Sequence, residues 1–282
     1  MPLLETGVAA TEVTLAAAHH RRSLVPALRR LRYRISHGHF RIAVLGPAGA
    51  GKTTLGRFLS GELAGSGGDP LYKESYDMER FRLKGDAVCS LLVAPGQKRR
   101  IQGREDLYQR LMKGKAAAIV NVVSYGYESL GALSFKQTTL YQTLSATAGH
   151  PLTLEDFLPY YFAERRQEEQ AYLEAVIPSL EQAKRKVWMI TLVTKEDLWW
   201  DQRDAVHAHY EQGTYNKTIE AVVNVRKTLP LQHEYLYASL VISRMITEQN
   251  DVFAENVAGY DQHIQYAHQE RLLTALLALV DS

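Results

Sequence analysis

Residues Gly46-Pro47-Ala48-Gly49-Ala50-Gly51-Lys52-Thr53-Thr54 constrain the fold of this chain more than any other stretch. They match G-x-x-x-x-G-K-[ST], and the flanks matter as much as the letters. Phe40 to Leu45 enters as an apolar, strand-like segment and Thr54 to Leu59 leaves with helical character, so the pattern sits at a strand–loop–helix junction. Small residues there let consecutive backbone N–H groups turn inward around an anion at a helix N-terminus. In such a loop Lys52 reaches the β and γ phosphates of a nucleotide and the Thr53 hydroxyl ligates Mg²⁺. A chance Gly-rich turn would need none of this agreement between motif and flanks. The chain reads as one that binds a nucleoside triphosphate.

Composition narrows the setting. The 282 residues are 46% hydrophobic and 23% charged, enough apolar material for one large core. A net charge of +2 gives no general reason to expect nucleic acid. The lone cysteine, Cys89, lies in a strand-like run and excludes an intrachain disulfide, so a reducing, cytoplasmic setting is expected. No apolar run reaches the length of about 18 residues that a spanning helix needs. Met1 to Glu5 lacks the basic and apolar pattern of a signal peptide. His19-His20 and His207-x-His209 lack partners at ligand spacing and read as solvated side chains.

Taken in order, residues 1–38 form an N-terminal extension with a basic amphipathic helix. Ser23 is placed as its N-cap and Pro26 in its first turn. Leu24, Leu28, Leu31 and Ile35 share one face, with Arg22, Arg29, Arg30 and Arg32 on the others. This helix could meet a membrane surface or lie against its own domain. The absence of Trp or Phe anchors favours the second. Residues 39–282 read as the phosphate-loop domain. Phe81 and Leu83 alternate with charged residues as a half-exposed strand, Gly85-Asp86 makes a turn, and Ala87 to Val93 is a buried strand. Further apolar runs at Ala116–Ser124, Val187–Val193 and Tyr235–Val241 alternate with helical stretches. One of these is a polar helix from Arg104 to Lys113. The expected class is therefore α/β: a three-layer α/β/α domain of P-loop NTPase type, with a mostly parallel sheet and one antiparallel edge strand. Surplus residues at about 128–186 and 198–230 read as helical insertions. Thr153-Leu154-Glu155-Asp156 offers a capping box, and Pro178 interrupts the helical stretch that follows. A terminal helix carries Ile264, Ala267, Leu272, Leu276 and Leu279. Trp199 and Trp200 are expected to pack beneath the inserted helix.

Beyond the strand at Val187–Val193 stands Thr194-Lys195-Glu196-Asp197, and the next strand ends in Tyr237-Ala238-Ser239. With the phosphate loop, the first of these resembles the N-K-x-D guanine-reading motif of Ras-like small GTPases, and the second their S-A-K motif. The resemblance covers roughly residues 40 to 245 and implies GTP and GDP as ligands with Mg²⁺. Asp197 would accept hydrogen bonds from guanine N1–H and the 2-amino group, which adenine cannot offer. Lys195 would lay its stem over the base, Thr194 would tie loops together, and the Ala238 N–H would meet guanine O6. Val93-Ala94-Pro95-Gly96-Gln97 stands at the family's D-x-x-G-Q motif. Gly96 would meet the γ-phosphate and Gln97 would orient the attacking water.

Two departures stand out against that family. Val93 occupies the position of the aspartate that holds Mg²⁺ through water, with Asp77 and Glu79 as nearby carboxylates. No threonine lies between Leu55 and Cys89 to cover the metal, leaving Ser75 as the hydroxyl in a suitable place. Lys98, Arg99, Arg100 and Arg104 could supply an arginine to the transition state or face a protein partner. The expected activity is slow, Mg²⁺-dependent GTP hydrolysis coupled to rearrangement of residues 66–80 and 94–106. A non-hydrolysing guanine-nucleotide scaffold and a P-loop ATPase or kinase remain open.

Overall fold

The computed structural model describes residues 24–31, 42–60, 79–82, 90–93, 118–128, 134–242, 244–246 and 252–281. At its centre is a six-stranded sheet in the order β2-β3-β1-β4-β5-β6. The strands are β1 (Ile42–Leu45), β2 (Glu79–Arg82), β3 (Ser90–Val93), β4 (Ala118–Val123), β5 (Val187–Thr194) and β6 (Leu231–Ala238). Neighbours pair in parallel, except that β2 runs antiparallel to β3 at the edge. β1 and β4 are apolar or buried at every position because both faces of the sheet are covered.

Alternation along each strand sends its residues into two separate cores. Ala43, Leu45, Ile119, Val123, Met189 and Val193 face one side. There they meet Leu173, Val176 and Leu180, together with Tyr215, Ile219 and Val222. Ile42, Val44, Val120, Ile190, Leu192 and Leu236 face the other, against Leu24, Leu28, Leu31, Leu55, Phe58 and Leu276. The helices are α1 (24–31), α2 (Lys52–Ser60), α3 (Thr139–Ala148), α4 (Leu154–Glu181), α5 (Thr214–Val225) and α6 (Gln262–Asp281); all but α3 supply these partners. α4 and α5 cover one face; α1, α2 and α6 cover the other. The architecture is a three-layer α/β/α sandwich of P-loop NTPase type. The leucine stripe of α1 is buried in this core, with Arg29 and Arg30 turned to solvent.

Local chemistry explains most element boundaries. Thr153 and Asp156 form a reciprocal capping box at the start of α4. α4 then runs unbroken through Pro178 to Glu181, where an interruption was expected. A proline in the last turn of a helix costs one backbone bond, and here the packing of Leu173, Val176 and Leu180 retains that turn. β6 begins at Leu231, earlier than its apolar run suggests, because this strand ends the sheet and its first half alternates buried with exposed residues. Between β6 and α6 lies a small antiparallel pair, β7 (Met245–Ile246) and β8 (Val252–Ala254), an addition that the sequence pattern did not show. The Gly85-Asp86 turn and the polar segment Arg104–Lys113 fall outside the described residues. Among the described residues no helix is long and apolar enough to cross a membrane.

Candidate nucleotide-binding site

The phosphate loop joins the C-terminal end of β1 to α2, as its flanks require. Gly46 adopts φ +131°, and a Cβ there would stand 2.0 Å from the Val122 carbonyl oxygen. Only glycine lets the loop pass so close to β4. Pro47, Ala48, Gly49 and Ala50 complete the turn, and the first helical bond runs from Leu55 N–H to Gly51 C=O at 2.9 Å. Lys52 is buried and its ammonium donates to the Pro47 carbonyl across the loop. This places a cation inside a ring of small residues and main-chain amides, the arrangement that binds a phosphate chain. Thr53 and Thr54 follow at the first turn of α2, half-buried.

The loop is tied to the sheet by Thr194, the last residue of β5. Its hydroxyl faces two carbonyl oxygens, Ala50 O at 2.7 Å and Val123 O at 3.0 Å. One threonine thus bridges the phosphate loop, β4 and β5. Lys195 follows in the left-handed conformation, φ +58°. Its ammonium donates to the Tyr127 carbonyl, pointing toward the segment after β4. Burial lowers the Lys195 pKa to about 8 against the opposing pull of Glu128, Asp197 and Glu169.

Asp197 is fully buried. Its carboxylate accepts the Ser239 hydroxyl, and its own N–H donates to Ser239 Oγ at 3.1 Å. Ala238 is the last residue of β6 and lies in the core beside Leu236 and Leu240. The side chain that meets Asp197 is therefore Ser239, one residue beyond the alanine singled out from sequence. Trp199 is buried and donates from Nε1 to the Thr194 carbonyl at 2.9 Å, while Trp200 packs edge-on against Tyr260 at 5.4 Å.

A second set of polar groups, silent in the sequence, backs the site. Ser124, Tyr125 and Gly126 turn sharply after β4, with φ +55° at Tyr125 and +83° at Gly126. The Glu169 carboxylate of α4 accepts Ser124 N–H at 2.8 Å, Gly126 N–H at 3.2 Å and Tyr210 O–H at 2.6 Å. Burial raises the Glu169 pKa, and those three bonds pull it back. Glu128 is also buried, 3.8 Å from Arg165, with Oε1 unmatched by any donor among the described residues. Burial, then the like charge of Glu169, pushes its pKa well above the usual range. No periodicity marks these acids, because Glu128 lies in the loop after β4 and Glu169 on a helix whose composition reads as solvated. His207 pairs with Glu211 at 3.0 Å, and among the described residues no cluster of three or more ligating side chains could hold a metal.

Val93 ends β3, paired with Val44 on one side and with Glu79 of β2 on the other. The fit to Mg²⁺ is accordingly partial: a hydroxyl at Thr53, and a valine where the resembled family has a carboxylate. Ser75, Gly96, Gln97 and the arginines after it lie outside the described residues.

A phosphate loop after β1, polar loops after β5 and β6, and one antiparallel edge strand define a three-layer α/β/α fold of P-loop NTPase type. No protein-family model and no curated protein matches the sequence. Three solved structures with guanine nucleotides or an analogue bound are among those similar to this chain. One is the signal recognition particle receptor SRb-GDP from Chaetomium thermophilum: 14% identity, 72% of this chain, 89% of that chain and TM-score 0.35. The small COPII coat GTPase SAR1 from Encephalitozoon cuniculi in complex with GDP gives 9%, 97%, 95% and 0.39. Toc33 from Arabidopsis thaliana in complex with Mg2+ and GMPPNP gives 12%, 92%, 92% and 0.41. At these identities and scores, the fold assignment rests on strand order and loop geometry.

Proposed function

We propose that this chain binds guanine nucleotides in a reducing, cytoplasmic setting and hydrolyses GTP slowly as a conformational switch. The observation that carries this reading is a pair of ties at the two ends of Thr194–Asp197: the Thr194 hydroxyl on the Ala50 carbonyl, and the Asp197 carboxylate and N–H on Ser239. Only a short stretch of main chain separates them, which puts a buried carboxylate next to the phosphate loop.

In this reading Lys52 and the loop amides stabilise charge building on the transferring phosphoryl group. Gln97 orients the attacking water, and Gly96 meets the γ-phosphate. Asp197 reads N1–H and the 2-amino group of guanine, Lys195 covers the base, and a main-chain N–H at Ala238 to Leu240 meets O6. Thr53 would hold Mg²⁺, which neutralises phosphate charge when bound; Ser75 is the candidate second hydroxyl. A protein partner would read the segments at 66–80 and 94–106.

Purified protein incubated with Mg²⁺ and equal GTP and ATP, with bound nucleotide and released phosphate quantified together, tests this. Bound guanine with GDP accumulating is the expected result. A second reading, a guanine-nucleotide scaffold that does not hydrolyse, is favoured specifically by Val93 at the end of β3; it predicts bound GTP that stays intact. Bound adenine, with affinity unchanged in Asp197→Ala, would replace both by an ATPase or kinase.

A further inference from the structure

We propose that α6 clasps both base-facing loops from outside, with His268 and Gln269 as positioning residues that set guanine selectivity. The inference rests on the guanine reading and identifies what holds Asp197 in register.

α6 is a firm base for such a clasp. Leu272, Leu273 and Leu276 are completely buried, packed in one core with Leu192 of β5 and Leu236 of β6. One turn nearer the helix start, two consecutive residues reach two different loops. His268 Nδ1 lies 2.6 Å from Glu196 Oε2, and Glu196, the neighbour of Asp197, is buried. Gln269, also buried, donates from Nε2 to the Ser239 carbonyl at 3.0 Å and to the Leu240 carbonyl at 3.1 Å. Ser239 is the residue whose hydroxyl meets the Asp197 carboxylate. A third contact comes from the segment entering α6: Val257 N–H donates to the Asp197 carbonyl at 2.8 Å.

The turn that carries Asp197 is anchored at its end by the buried Trp199, and Asp197 itself is held from outside the turn. The turn Glu196–Trp199 is four residues long and has no side-chain cap. A hydrogen bond weakens steeply as its angle departs from linear, so a carboxylate on so short a turn needs outside support to discriminate between bases. The clasp supplies it from three directions, on the residue before Asp197, on its own carbonyl and on its hydroxyl partner.

The test compares GDP with IDP, whose base lacks the 2-amino group. For wild type, the ratio of the two affinities reports the bond from that group to Asp197, about 10- to 100-fold for one hydrogen bond to a carboxylate. General loosening of the fold lowers both affinities alike and leaves the ratio unchanged. Loss of positioning collapses the ratio. His268→Phe keeps a ring beside Trp200 and deletes the donor; Gln269→Leu keeps volume and deletes two. Each is expected to bring the ratio to within about threefold of Asp197→Ala. His268→Asn, which returns a donor near the Nδ1 position, should restore it. His268 is partly exposed, so the His268 variants keep the comparison available even if Gln269→Leu folds poorly. An unchanged ratio in His268→Phe would overturn the clasp. Wild type that does not prefer GDP over ADP overturns the guanine reading, and the clasp with it.

Discussion

Thr194→Val removes one oxygen from the centre of the site and leaves the shape of the side chain intact. That oxygen carries a single proton and serves two buried acceptors, at 2.7 Å on Ala50 and 3.0 Å on Val123. The lost bond is worth about 1 kcal/mol and the stranded carbonyls cost about 1–2 kcal/mol more, giving roughly 2–3 kcal/mol in total. For a domain of this size each kcal/mol lowers the melting temperature by about 2–4 °C, so a fall of about 4–12 °C is expected. The damage should also appear in binding. Without the tie, Gly51 and Lys52 are no longer held against β5, and ordering the loop becomes a cost of nucleotide binding. The assay pairs a thermal scan of nucleotide-free protein with a calorimetric titration of GDP. Thr194→Asn provides the control, since its amide carries two protons and can serve both carbonyls. Valine and wild type melting within about 1 °C of each other, with equal GDP affinity, would refute the bridge.

Two further outcomes follow from buried charge. Arg226 donates to Leu229 O at 2.9 Å, Ala183 O at 3.1 Å and Arg185 O at 2.6 Å, and also to Leu180 O, joining the ends of α4 and α5. Arg226→Met should cost about 3 kcal/mol or more in urea unfolding, and lysine, a point charge, should not rescue it; a loss under about 0.5 kcal/mol would show the clip to be idle. Glu128 keeps its proton in the folded state to higher pH than in the unfolded chain, so its contribution to stability is lost as pH rises from the ordinary glutamate range through the raised value. Glu128→Gln should therefore flatten the decline in urea midpoint between about pH 4.5 and 7 and raise the midpoint at pH 7; parallel pH profiles for variant and wild type would contradict this.

The sequence made legible whatever local chemistry dictates. Gly46 to Thr53 announced the loop, because only glycine fits against Val122 and only a lysine can fill the ring. The mostly apolar runs of β4 and β5 announced a doubly covered sheet. Thr194 stood out because its neighbours in the motif are contiguous. What stayed hidden depends on contacts across more than forty residues. Ser239 and Asp197 are 42 positions apart, and Glu169 lies 45 residues from the Ser124 amide it accepts. Neither spacing leaves a period. Pro178 misled for a related reason: local preference argued for a break, and packing on the sheet outweighed it.

The turn at Ser124–Gly126 has a consequence for dissecting the chain. Glu169 fixes the middle of α4 to the end of β4, and Tyr210 fixes the same carboxylate to the segment before α5. The two surplus regions are therefore not removable ornaments of equal standing. The hairpin of α3 and the first turns of α4 has a small aromatic core of its own, Phe135, Tyr141, Phe157 and Tyr161. It is the part a protein engineer could shorten or exchange. From Glu169 onward the same helix is a wall of the domain, and a cut placed there would strip one face of the sheet bare.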